Sequence, residues 1–446
     1  MKETRSNNTP FWLLLIGIVL MLVGRNLFVE GMFLDGATYA SISRNMAEGL
    51  GTFWNPYYTL TMDEVFHSHP PLAFGLEALA FMALGDHFYV ERIYSLVTLI
   101  ASAALIVAIW KRTTNRPQQA WLPLLFWVAM PLVSWCASNN MLENTMTVFV
   151  LLSVWLMLLS YLKNSKIWLF LAGIALLLAF MSKGVTGLFP LVFPVVYCAF
   201  DEKRHWLQGP MDALFIVIEL AVLTGLMFLV FPPSLPYLKD YFQVQVMGTG
   251  LNVATVATRF SIVFAWLGQM AIPLVVAAIL FIVNKFVLKS PVKTFEFPPD
   301  RKWFWLFTVF GLTGVLPIMV SRKQSDFYML SALPFFALAC GHLTLAMVNI
   351  MQQQMKKGLR LGLTIGACCV VLTGLVISVT RFGKYDRDEQ FLIAMKKALL
   401  EIPENEIVGV STEGFPNWSW HAYFMRYGKV SLDDKQPHNH TFTYHP

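Results

Sequence analysis

The chain is short of charge. Asp, Glu, Lys and Arg make up 13% of its 446 residues, about half of the roughly 25% usual in a soluble protein. A soluble fold of this length needs a far more polar surface, so a water-exposed globule is excluded. Also missing are the alternating ten-residue segments of a membrane barrel, any internal repeat, any low-complexity tract and any Gly-rich phosphate loop. The five cysteines (Cys136, Cys198, Cys340, Cys368 and Cys369) fall in apolar segments without metal-ligand spacing, which argues against a disulfide scaffold. The net charge of +6 implies no nucleic-acid partner, because Lys and Arg collect in short loops between apolar runs.

Apolar residues make up 56% of the chain. They come in blocks of about 17–25 residues, the length that crosses a bilayer as helix. Phe11–Phe28, Val90–Trp110, Met211–Phe231 and Leu361–Thr380 are the plainest. Only helices and closed barrels satisfy their backbone in hydrocarbon. The expected fold is therefore an all-α polytopic membrane protein. The length criterion places about eleven spans, at roughly 11–29, 90–110, 121–137, 143–162, 166–182, 186–200, 211–231, 262–284, 303–320, 327–348 and 360–380. The first apolar run has no small-residue cleavage site after it and is expected to be an uncleaved span.

With the N-terminus inside, the cytoplasmic loops hold Lys111, Arg112, Arg116, Lys163, Lys203, Arg204, Lys285, Lys293, Lys356 and Lys357, as the positive-inside rule requires. Three long polar regions then lie outside: Glu30–Pro71, Pro232–Ser261 and the tail from Arg381. The run Leu72–Gly85 is too short to span and is expected to be an interfacial helix. The organisation is thus a membrane domain over 1–380 and a small extracytoplasmic α/β segment over 381–446. In that segment a helix is expected around Asp388–Glu401, a strand at Glu406–Ser411 and an aromatic helix at Asn417–Tyr427.

The first outer loop carries the most chemistry. It begins FLDGATYASISRNMAEGLG and ends MDEVFHSHPPL. The apolar pattern from Ala37 to Met46 suits a short helix on the membrane surface. Asp35 then reads either as that helix's N-cap or as a carboxylate held at membrane depth for a lipid-linked substrate. On the same side, Glu143 opens one span, Lys183 closes another, and Arg322 and Lys323 occupy an outer turn. Each has a local explanation as a helix-end charge or a snorkelling cation. Outer loops should nevertheless be poor in cations, so two such sites ask for an anionic partner.

The elements Asp35-Gly-Ala-Thr-Tyr-Ala, His69-Pro-Pro-Leu, Leu142-Glu-Asn, Lys183-Gly-Val and Tyr328-Met-Leu-x-x-Leu-Pro occur in this order. Together they resemble the dolichyl-phosphate-mannose–protein mannosyltransferase-like family of GT-C glycosyltransferases, related to the lipid A aminoarabinose transferases. The resemblance covers roughly residues 10–340. It implies an inverting transferase that takes a sugar from a polyprenyl-phosphate donor to a hydroxyl or amine of a glycan, lipid or protein. The reaction would lie on the extracytoplasmic face, with a bacterial inner membrane the expected location. The resemblance makes Asp35 the catalytic carboxylate, with Glu143 the second acid, and puts His69 near the donor phosphate. Lys183, Arg322, Lys323 and Tyr328 complete the expected donor site. No cofactor is required, and a divalent metal is left open. The chain departs from the pattern where many members have Asp-Glu in place of Asp35-Gly36, and where some have an acid in place of Ser68. Two rival functions are a lipid-linked glycan transporter and an oligosaccharide ligase using a lipid diphosphate. Charges confined to the outer rims, without repeat halves, count against transport.

Overall fold

The computed structural model describes residues 8–249, 253–289 and 300–444; Lys293 lies outside them. α1 (Thr9–Leu22) leads through a 3-10 turn into the first outer loop, which holds α2 (Leu34–Ala47), the two-residue strands β1 (Gly51–Thr52) and β2 (Asn55–Pro56), and α3 (Leu72–Leu84). α4 (Val90–Thr113) crosses back, followed by α5 (Trp121–Val128), α6 (Pro131–Ser138), α7 (Leu142–Lys163), α8 (Lys166–Lys183), α9 (Phe193–Phe200) and α10 (Gln208–Val230). α11 (Ser234–Tyr241) lies in the second outer region. α12 (Ser261–Ile282), α13 (Arg301–Val315), α14 (Leu333–Gln354) and α15 (Lys357–Thr380) follow it. The tail folds as α16 (Glu389–Ala398), β3 (Ile407–Val410), α17 (Trp418–Gly428), β4 (Ser431–Asp433) and β5 (Thr441–Phe442).

Among the described residues nine helices are long and apolar enough to cross a membrane. They include nine of the eleven expected spans, and the other two differ for local reasons. The span expected at 121–137 is broken: α5 and α6 meet at 79°. Pro131 opens α6 and holds Met130 in extended backbone (ψ 117°), because the ring of a proline disfavours helix at the residue before it. The span expected at 186–200 is a 3-10 stretch, Val185–Val192, running into α9. Gly184, at φ +100°, ends α8 in a conformation open to glycine, and Pro190 removes a donor from the turns that follow.

α3 is a helix of 13 residues, about 20 Å long at 1.5 Å per residue and too short to span. The surface-lying helix expected from Ala37 is in fact buried from Gly36 to Asn45, because the tail covers it. The main apolar core joins Trp110, Trp121, Phe193, Phe310 and Phe335 across the bundle. In the tail, β3 is central and parallel to both β4 and β5. Its expected helices and strand stand where they were placed, while β4 and β5 are too short to leave a pattern.

One carboxyl breaks the expectation that charges keep to the rims. Glu219 lies midway along α10, buried, with its carboxylate where a side chain on Gly173 of α8 would start, 2.1 Å from an added Cβ.

Candidate active site

Asp35 is the second residue of α2. Phe33 holds the N-cap position in extended backbone, with no side-chain cap, so the Asp35 carboxylate is not used in capping. It sits in the first turn, where the helix dipole favours an anion. Burial pushes its pKa above the ordinary carboxylate value, against the opposing pull of Lys183 and a hydrogen bond from Tyr39. Tyr39 lies one turn on, and its hydroxyl is 3.5 Å from Asp35 Oδ2.

That hydroxyl also accepts from Lys183 Nζ at 3.4 Å. Lys183 ends α8, and its ammonium pairs at 3.1 Å with Oε1 of Glu143 in the first turn of α7. Both side chains are buried, so each charge depends on the other for compensation. The ammonium further lies over the rings of Tyr39 (5.4 Å) and Phe327 (5.6 Å). His69 meets Tyr39 edge-on at 5.8 Å. Burial, then the charges of Lys183 and Lys323, hold its imidazole well below the ordinary pKa, so it is neutral near pH 7. Lys323 donates to Gln245 Oε1 at 3.1 Å. Its pKa is lowered by burial and by Lys183, with Asp35 opposing. Tyr328 stands in the 3-10 turn Asp326–Ala332, within electrostatic reach of Glu143 and Asp35.

Six of the seven expected residues therefore share one neighbourhood at the outer edge of the bundle. Arg322 does not join them. It is exposed, and its guanidinium donates to the carbonyls of Val256 and Ala257 at 3.4 and 3.3 Å. It ties down the end of the second outer region, just before α12. His67 pairs with Asp240 of α11 at 3.2 Å. Among the described residues no group of three or more His, Cys, Asp and Glu side chains is arranged as metal ligands.

The position of Asp35 is fixed by residues the motifs did not mark. Phe33 N donates to Asn139 Oδ1 at 2.8 Å. Asn140 Nδ2 donates to Glu77 at 2.7 Å and reaches Gly36 O at 3.4 Å. Arg92 bridges the carbonyls of Gly31 and Ser138. Gly36 is seated so closely that a Cβ there would stand 2.0 Å from the Asn139 carbonyl oxygen. Tyr39 was detectable from its i+4 spacing to Asp35, which puts both on one helical face. Asn139 and Asn140 sit beside the Glu143 motif in sequence, but nothing local points them at α2.

The tail completes the clamp. The Tyr423 hydroxyl has Met32 O at 2.7 Å and Asp388 Oδ2 at 2.9 Å, and its one proton serves either. Arg426 forks onto Glu91 at 3.1 and 2.9 Å and reaches Asp86 at 2.7 Å. Asp86 in turn accepts from Arg44 of α2 at 3.0 Å. Beside α2 lies a cavity of about 860 Å³, walled by Phe33, Trp135 and Phe327 and edged by Arg25, Asp326 and Arg387.

Residues 68–228 match the family described as dolichyl-phosphate-mannose-protein mannosyltransferase. That stretch holds His69, Glu143 and Lys183; Asp35, Lys323 and Tyr328 lie outside it. Among solved structures, ArnT from Cupriavidus metallidurans bound to undecaprenyl phosphate superposes with a TM-score of 0.62 at 14% identity, over 95% of this chain and 86% of that one. Its apo form gives 0.65 at 13% identity, over 95% and 85%. The Archaeoglobus fulgidus oligosaccharyltransferase, in complex with Zn and sulfate, gives 0.52 at 11% identity over 96% of this chain; this chain spans 62% of that one. No curated protein matches the sequence. The protein is an integral membrane protein with the GT-C type helical bundle, and its resemblance to the mannosyltransferase-like family stands.

Proposed function

We propose that the protein is an inverting glycosyltransferase that moves a sugar from a polyprenyl-phosphate donor to a hydroxyl or amine acceptor on the extracytoplasmic face. The observation that carries this is the Asp35–Tyr39–Lys183–Glu143 chain of contacts. It sets a proton-accepting carboxylate one tyrosine away from a buried cation at the membrane edge. The family match and the undecaprenyl phosphate bound by the structural neighbour support a donor of this class.

Asp35 takes the acceptor's proton as the acceptor oxygen or nitrogen attacks the anomeric carbon. The bond from that carbon to the phosphate oxygen breaks, and its electron pair leaves on the polyprenyl phosphate. A phosphate needs no strong acid to leave; it needs cations and donors placed where charge develops. Lys183 is the main one, with Lys323 and Tyr328 beside it and His69 contributing as a neutral hydrogen-bonding group. Glu143, fully buried against Lys183, is the counter-ion that aims the ammonium. Asp35, half-buried, is the acid that an acceptor can reach.

Asp35→Asn keeps the shape and removes the charge. It should cost about 10²-fold or more in turnover, the range of general-base assistance, while donor affinity stays intact. Purified variants in nanodiscs, given radiolabelled polyprenyl-phosphate sugars one at a time, provide both readings. Glu143→Gln should show mainly as weaker donor binding. An Asp35→Asn enzyme with normal turnover removes Asp35 as the base.

A further inference from the structure

At the end of the bundle opposite Asp35, a cavity of about 340 Å³ lies between α4 and α7, within the roughly 300–1,000 Å³ of ligand sites. One wall belongs to α4. Ala104, Val107, Ala108, Lys111 and Arg112 all line the cavity. Their spacing of i, i+3, i+4, i+7 and i+8 puts them on one helical face. The facing wall is Trp155 of α7. It is half-buried, and its indole nitrogen is buried with no hydrogen-bond partner among the described residues.

The α4 face changes character along its length. Ala104 and Ala108, one turn apart, have nothing beyond Cβ and leave an apolar channel beside Val107. Two cations stand at its end. Both are exposed, and among the described residues neither the Lys111 nor the Arg112 side chain makes an ion pair or hydrogen bond. Other cations at this end of the bundle are engaged. Lys166 pairs with Asp212, Lys302 with Asp201 at 3.1 Å, and Arg204 donates to Asn164 Oδ1 at 3.1 Å. Lys163 lies over the Trp168 ring at 4.4 Å. The positive-inside rule puts cations at this end, and the dipole of α4 favours them in its last turn. Neither effect sets two of them, unpaired, at the head of an apolar channel.

We propose that this channel holds an acyl chain of an anionic glycerophospholipid, with the headgroup phosphate on Lys111 and Arg112. Arg112 can give paired hydrogen bonds to two phosphate oxygens, and Lys111 adds a point charge. An apolar channel that ends in two unpaired cations is complementary to a molecule with hydrocarbon at one end and an anion at the other. Basic groups at a helix end draw such lipids to the membrane surface. A neutral lipid leaves the cations unpaired, and a free phosphate leaves the channel uncovered. The lipid joins α4 to α7 at the ends far from Arg92 and Glu143, which stand in the first turns of the same two helices. It braces the frame of the Asp35 site without touching that site.

The test is a titration of the full-length protein in detergent, read by native mass spectrometry. The probes are dioleoylphosphatidylglycerol, dioleoylphosphatidylcholine and glycerol 3-phosphate. The first phosphatidylglycerol should bind about tenfold or more tightly than phosphatidylcholine, the scale expected of two basic side chains acting on an anionic lipid. Replacing Lys111→Ala and Arg112→Ala together should abolish that preference. Lys356→Ala with Lys357→Ala, at the same end but not lining the cavity, should keep it. Ala104→Trp, at an exposed position, fills the channel and should weaken both lipids alike. Glycerol 3-phosphate should not compete. Equal binding of the two lipids overturns the proposal, as does a preference that survives loss of both Lys111 and Arg112. An equal loss in the Lys356 and Lys357 variant would mean diffuse attraction, and unchanged binding in Ala104→Trp would take the acyl chain out of the cavity. Competition by glycerol 3-phosphate would make this a site for free phosphate. Each of these three results overturns it as well.

Discussion

Replacing Gly36 by alanine adds one carbon at the tightest point of the site. That carbon would lie 2.0 Å from the Asn139 carbonyl oxygen, where real Cβ atoms essentially never come within 3.0 Å, so about 1 Å must be made up by movement. The Asn139 side can give little, since its side chain holds Phe33 N at 2.8 Å and Trp135 O at 2.9 Å. Arg92 also grips the carbonyl of Ser138 next door. The start of α2 therefore moves instead, carrying Asp35 with it. Overpacking of this kind costs about 1–3 kcal/mol, and a displacement near 1 Å at a reacting group costs about 10²-fold in rate. The expected variant is folded, binds polyprenyl-phosphate donor normally and turns over about a hundredfold more slowly. Gly36→Glu, which writes the residue common in the mannosyltransferase-like family, should do no better, because the obstruction begins at Cβ. Radiolabelled sugar transfer, with donor affinity measured on the same preparation, gives the answer. Normal turnover in Gly36→Ala would refute the claim that this close approach sets the position of Asp35.

Two further outcomes follow from the charges. Transfer should rise with pH as Asp35 ionises, with its midpoint above the ordinary carboxylate value because burial raises that pKa; Lys183→Met removes an opposing positive charge and should move the midpoint higher still, as read in kcat/KM against pH. Arg426→Met should strand the buried Glu91 without its partner, leaving Asp86 to Arg44 alone, and cost about 3–5 kcal/mol, seen as a lower unfolding temperature in detergent; an unchanged transition would refute the compensating role of that fork.

Hydropathy alone placed the spans, because water-free surroundings force long apolar helices whatever their neighbours are. It could not show that 121–137 bends by 79°, since the bend comes from one proline whose effect depends on what α6 meets. Lys183 was legible as an outer cation out of keeping with the rule for outer loops, and Asp35 and Glu143 as acids on the same side within the ordered motifs. Arg322 fitted the same rule and yet serves a loop, because the rule gives a side of the membrane and no direction for a side chain. Glu219 was in plain view as a lone acid in VIELAVL. Its seat against Gly173 required knowing which helix faces α10. The clamp on α2 left no local trace: Tyr423 and Met32 are 391 positions apart.

That separation bears on how the protein is made. The loop with Asp35 leaves the ribosome early, while Tyr423 and Arg426, which secure it, emerge hundreds of residues later and after most of the helices have entered the lipid. Contacts so distant in sequence close late in folding. A half-synthesised chain thus carries Asp35 on a helix whose contacts with the tail are not yet made. Delivery of the tail to the side of the membrane that holds the first loop is therefore a condition for closing the clamp on α2.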